Sequence, residues 1–314
     1  MSKFIIFNLQ LLPLDSSKTE EVGADGYIRL FEELNKTVVQ GFKEKSLTTN
    51  GFRLINDTYF APLHTKIVEE DKPSKKSKTD QKKKRFVYGQ FVKFHKTSTV
   101  EDLYTREQLF AEAAGQSAVS NRHELFYIFN PDSHLIAIEN TRNRLPAIKT
   151  TTNALLKFLG PIAATHFSQY TFTVNLVSRA DDLSAILARA KGYSSIKISL
   201  TFKNGPTQDE VLDDFAEKNL HKLTLSASAA RGATMPEVPD SIKGMLLNAP
   251  TYGSAALSFT EDVNGKRVRS VFDTDDSPEE IRARASGNED SEGFYRRINK
   301  KIVELAKRIG HTDT

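Results

Sequence analysis

The chain contains no cysteine, which removes disulfides, thiol catalysis and zinc–thiolate centres from consideration. No apolar run approaches the roughly 20 residues a helix needs to span a bilayer. The opening MSKFIIFNLQLLPL is short and alternating, so a first strand is expected there rather than a signal peptide. Glycine loops of the forms G-x-G-x-x-G and G-x-x-x-x-G-K-[ST], which cradle phosphates, are absent, as is the nucleophile elbow G-x-S-x-G. His123-Glu124 begins like a zinc-protease helix, but Tyr127 stands where the second histidine ligand is required. His64, His95, His123, His134, His166, His221 and His311 show no ligand spacing. The sequence therefore nominates no catalytic residue, no metal ligand and no cofactor, and a cytoplasmic location is expected.

What the chain does have is unevenly placed charge. Lys72, Lys75, Lys76, Lys78, Lys82, Lys83, Lys84 and Arg85 face one acid, Asp80, a net +7 within fourteen residues, while the whole chain is only +4. A second concentration lies near the C-terminus, where Arg296, Arg297, Lys300, Lys301, Lys307 and Arg308 face only Glu304, a net +5. Everything outside these two segments sums to −8. Cations gathered this tightly suit a polyanion, because neutralising phosphates releases condensed counterions. A solvated loop and helix-end electrostatics are the bland alternatives.

The hydrophobic pattern gives an α+β fold: mixed sheets with β-hairpins, covered by helices, and a basic C-terminal helix. Phe4 to Leu11 reads as a strand and 26–45 as an amphipathic helix. Thr58 to Val68 and Arg85 to Lys96 read as strands, with the basic segment as a long loop between them in one sheet. Leu125, Tyr127 and Phe129 alternate ahead of an Asn130-Pro131-Asp132-Ser133 turn, which predicts a hairpin over 122–141. A helix from about Leu145 to Leu159 is expected to stop at Gly160-Pro161. The domain boundary falls there, giving 1–160 with a long basic loop at 71–85, and 161–314. In the second half, strands at Tyr170–Ser178, Ser195–Phe202 and Lys222–Ser228 alternate with helices at 180–191 and after Pro206. A second hairpin is centred on Asn264-Gly265, and a helix near 292–309 closes the chain. Its Ile298, Ile302, Leu305 and Ile309 form an apolar stripe, leaving Arg296, Lys300 and Lys307 near one line.

Three further groups bear on chemistry. Asp132 and Glu139, across the first hairpin, are faintly similar to the paired acids that hold Mg²⁺ in a nuclease, but Thr141 stands where such a site wants a lysine. Asp209, Glu210, Asp213, Asp214 and Glu217 share one expected helix, where acids near the start complement the dipole. Arg142 with Arg144, and Arg267 with Arg269, alternate so that a strand would project each pair to one side.

The segments HELFYIFNPDSHLIAIEN, ALSFTEDVNGKRVRSVF and FYRRINKKIVELAKR, in this order over residues 120–309, resemble the RexA-like phage-exclusion proteins of phage lambda. The DNA-binding subunit of the Kiwa defence system looks like a similar arrangement. The resemblance implies a cytoplasmic, homodimeric, non-catalytic protein that binds double-stranded DNA without sequence preference. It also implies action in phage defence or exclusion beside a separately encoded membrane protein. Together with the charge pattern, this nominates Lys75, Lys76, Lys78, Lys82, Lys83, Lys84, Arg85, Arg296, Arg297, Lys300, Lys301 and Lys307 as phosphate contacts. The alternatives are an interaction subunit docking on an acidic or membrane-protein partner, and a metal-dependent nuclease.

Overall fold

The computed structural model describes residues 1–15, 20, 22–46, 51–69, 85–113, 117–201, 218, 220–284 and 289–309. Its centre is β1 (Ser2–Pro13), a twelve-residue strand whose side chains are buried on both faces over most of its length. One edge of β1 pairs with β8 (Leu135–Glu139). The other edge is shared end to end by β14 (Glu280–Ala283) and β9 (Tyr170–Leu176). Beyond β8 the sheet continues through β7 (Val119–Asn130), β4 (Arg85–Lys96), β3 (Thr58–Glu69) and the short β2 (Phe52–Arg53). Every ladder among the described residues is antiparallel.

Alternation along β1 sends Phe7, Leu9 and Leu11 to one face and Phe4 and Ile6 to the other, so both faces need a cover. The first face is covered by α1 (Ala24–Lys43), through Tyr27, Leu30, Phe31 and Leu34, and by α2 (Ile148–His166). The expected stop at Gly160-Pro161 is not used: α2 runs on through Pro161 to His166. Ile162 and Ala163 continue the buried stripe of Leu155, Phe158 and Leu159, and this packing outweighs the hydrogen bond that proline removes.

The opposite face is covered by the C-terminal helix α5 (Ser291–Arg308), which buries Tyr295, Ile298, Ile302 and Leu305 against Phe4, Ile6, Phe86 and Ile128. Its start is capped by Asp290, which accepts from the Gly293 N–H at 2.8 Å. Its middle is pinned to the first hairpin, where the Asn130 amide donates to Asn299 Oδ1 at 3.0 Å while its own carbonyl oxygen accepts from Ser133. The turn residues thus anchor the helix as well as reversing the chain.

A second sheet has the order β11 (Lys222–Ser228), β10 (Gly192–Thr201), β12 (Gly253–Val263), β13 (Lys266–Asp273). The turn between β12 and β13 is the expected Asn264-Gly265, with φ of 51° and 75°, the left-handed pair a two-residue hairpin needs. One face is covered by α3 (Ala180–Arg189) and α4 (Asp240–Tyr252), whose Leu183, Ile186 and Leu246 pack on Ile196, Ile198 and Leu257.

A boundary at residue 160 does not separate these units. The large sheet takes β9 and β14, and its cover α5, from the second half of the chain. The sheets also adjoin, with Ser178 N–H donating to Pro250 O at 2.7 Å and the Asn175 amide to Thr201 Oγ1 at 2.5 Å.

Candidate nucleic-acid interface

The basic segment falls in the chain between the end of β3 and the start of β4, where Glu69 and Arg85 are register partners. Lys75, Lys76, Lys78, Lys82, Lys83 and Lys84 lie outside the described residues. Arg85 is described, and its guanidinium is ion-paired with Asp25 at the start of α1. It therefore serves to tie the loop's exit to α1 rather than standing free for phosphate.

The entry to the loop is tied to α5. Arg296 donates to the Glu69 carbonyl at 3.1 Å and pairs with Glu292 at 2.8 Å, its guanidinium 6.0 Å from the Phe86 ring. Glu69 and Arg296 stand 227 residues apart in the chain, so this bond brings the roots of the two basic elements to one corner of the sheet. Glu292 also sits 3.5 Å from Lys66, and its carboxyl is held below the usual carboxylate range, first by the Arg296 hydrogen bond.

The remaining cations of α5 divide into two groups. Arg297 is engaged by Glu289 at 2.6 Å, donates to Arg284 O at 2.8 Å and lies over the Phe294 ring. The Glu289 hydrogen bond raises its pKa further. Arg308 pairs with Glu279. Lys301 donates to Arg282 O at 2.8 Å, which seats its stem on β14 and leaves its charge uncancelled. Lys300 and Lys307 are exposed, with no ion-pair partner among the described residues. The arginines of this helix therefore hold it in place, and the charge it offers outward is carried by its lysines.

The other candidates fare differently. Arg142 lies in a 3-10 turn at φ 59°, so Arg142 and Arg144 do not share a strand face. Arg267 and Arg269 do share one, on β13. That face of the second sheet is open and also presents Lys197 from β10 and Lys222 from β11, among serines and threonines. Lys197 was legible in advance, because Ile196, Ile198 and Leu200 point inward on either side of it.

Asp132 and Glu139 are not brought together. Asp132 is in the turn before β8 and Glu139 closes that strand, roughly 13 Å or more along it, too far to share one ion. Glu139 instead accepts from Thr141 Oγ1 at 2.7 Å. His123-Glu124 lies on strand β7, not on a helix. Asp209, Glu210, Asp213, Asp214 and Glu217 lie outside the described residues. Among the described residues no three histidine or acidic side chains gather as a metal site would require, and no helix is long and apolar enough to cross a membrane.

These features define an α+β protein with, among the described residues, two large antiparallel sheets and one two-stranded one, and with a basic segment whose flanks are tied to α1 and α5. The chain belongs to the family described as Domain of unknown function (DUF4747), whose profile matches residues 7–304 and so spans both sheets. No curated protein matches the chain.

Proposed function

We propose that this chain is a non-catalytic protein that binds double-stranded DNA without sequence preference, through phosphate contacts made chiefly by the lysines of the 72–84 segment. The observation that carries this reading is the charge polarisation: a net +7 in one loop of a chain that is otherwise net negative. The tie between Arg296 and the loop's first flank supports a composite surface in which Lys300 and Lys307 of α5 add to the loop. Contacts of this kind are electrostatic and carry no sequence information by themselves. The resemblance to phage-exclusion proteins extends the proposal to a role in phage defence, in the cytoplasm, beside a membrane-protein partner.

The test is binding of purified full-length protein to a non-specific duplex across a salt series, with Mg²⁺ present so that cleavage is also read. The proposal expects affinity that falls steeply with salt and an uncut duplex. Absence of binding at low salt overturns it and favours the interaction-subunit reading, in which the same loop meets an acidic protein. Cleavage overturns the non-catalytic part.

A further inference from the structure

Between β4 and β7 the chain leaves the large sheet as an arm. Among the described residues its strands β5 (Thr99–Glu101) and β6 (Gln108–Ala111) pair only with each other. The turn between them is fixed: Asp102 Oδ1 accepts from the Tyr104 and Thr105 N–H groups at 2.8 and 2.7 Å, and its backbone carbonyl accepts from Arg106 at 3.0 Å. This hydrogen-bonded turn holds Leu103 and Tyr104 in solvent, 82% and 90% exposed, and β6 adds Leu109 at 65%. Val119, the register partner of Lys96 at the arm's base, is also exposed. An isolated two-stranded ribbon is marginal in water, and apolar side chains clustered on one protrusion mark an interface, whereas scattered ones would not.

Charge narrows the occupant. Residues 97–113 carry Glu101, Asp102, Glu107 and Glu112 against Arg106 alone, a net −3. An acidic arm is repelled by nucleic acid and by anionic membranes, and attracted to a cationic surface with an apolar patch. The chain has such a surface in the open face of its second sheet. There Arg269 stands two residues along β13 from Val271, a 74% exposed valine, and Lys197 lies two strands away on the same face. Lys197, Lys222, Arg267 and Arg269 on that face outnumber its acids Asp262, the register partner of Arg267, and Asp273, which accepts from the Asp275 N–H, so the face is net positive.

We infer that the arm of one copy docks on the open second-sheet face of another, with Leu103 and Tyr104 against Val271 and the arm's acids against Lys197 and Arg269. Reciprocal exchange of the two arms closes a twofold dimer, in which each copy gives one arm and receives one. This inference is independent of DNA binding, because it uses neither the basic loop nor α5.

The experiment is sedimentation equilibrium of the full chain and of three variants, with circular dichroism confirming that each is folded. The wild type should dimerise, and Leu103→Ser/Tyr104→Ser should weaken the dimer at least about tenfold. Glu101→Lys/Glu107→Lys on the arm and Lys197→Glu/Arg269→Glu on the face should each do the same. Mixing the last two variants restores a dimer, since each arm then meets a face of opposite charge. A monomeric wild type overturns the inference and leaves the arm for a different protein. A dimer indifferent to the Leu103/Tyr104 change overturns the arm's role. Failure of the mixture to associate overturns the pairing of these two surfaces.

Discussion

Replacing Glu289 and Glu292 together by glutamine should strengthen DNA binding, although neither residue is basic. In the wild type these carboxylates sit 2.6 Å from Arg297 and 2.8 Å from Arg296 and cancel their charge locally. Arg296 would stay in place after the change, because it keeps its bond to the Glu69 carbonyl and its position over Phe86. The uncancelled Arg296 guanidinium then stands at the flank of the basic segment, and Arg297 adds charge on the side of α5 that faces β14. Each cation that gains a phosphate adds about 0.9 to the slope of log K against log salt, so two add about 1.8. Between 50 and 200 mM salt that steepens the loss of affinity by about twelvefold relative to wild type. The stability cost is small, because partly exposed ion pairs contribute only about 0.2–1 kcal/mol each. Fluorescence anisotropy on a labelled non-specific duplex, repeated across the salt series, reads both quantities. An unchanged slope with unchanged affinity would refute the reasoning and remove the start of α5 from the interface.

Other consequences follow from the packing. Gly89→Ala should destabilise the fold by about 3 kcal/mol in thermal or chemical denaturation, as an overpacked site does. A Cβ at that position would lie 2.2 Å from the His64 carbonyl oxygen and 2.6 Å from the buried Tyr127 hydroxyl, and the backbone oxygen cannot move aside. Ile302→Ala should cost a similar amount, about 3 kcal/mol, because Ile302 is fully buried between α5 and the sheet; little loss would show that α5 detaches readily. Acid should remove the Glu292 part of the ion pairing at the start of α5 while the Arg296–Glu69 bond remains. The Glu292 carboxyl is depressed in the folded state, so its contribution is present above its unfolded pKa and fades as pH falls through its lower folded value. Chemical denaturation as a function of pH reads this effect below about pH 4.5, and Glu292→Gln should remove that part of the dependence.

What the sequence made legible was local. Strand alternation around Tyr127, the Asn264-Gly265 turn and the apolar stripe of Ile298, Ile302 and Leu305 each depend on near neighbours in the chain, and each stands where expected. Three things were not legible. The sharing of one edge of β1 by β9 and β14 joins segments far apart in the chain, and no short-range pattern encodes it. Continuation of α2 through Pro161 was decided by burial of Ile162 against the sheet, a tertiary contact outweighing a local breaker. The third was the fate of the arginines on α5. Their spacing correctly put Arg296 near Lys300 and Lys307, but their partners Glu69, Glu289 and Glu279 come from other elements. Composition counts a cation whether or not a carboxylate from elsewhere sits against it, so the basic face looked larger than it is.

The central claim is that the loop makes the phosphate contacts, and the most direct measurement compares salt slopes. Wild type and Lys82→Gln/Lys83→Gln/Lys84→Gln would be titrated with the same non-specific duplex between 50 and 200 mM salt. Loss of three phosphate contacts should weaken binding at low salt and flatten the slope by about 2.7. Equal slopes for the two proteins would contradict the account, placing the DNA elsewhere on the molecule or nowhere on it.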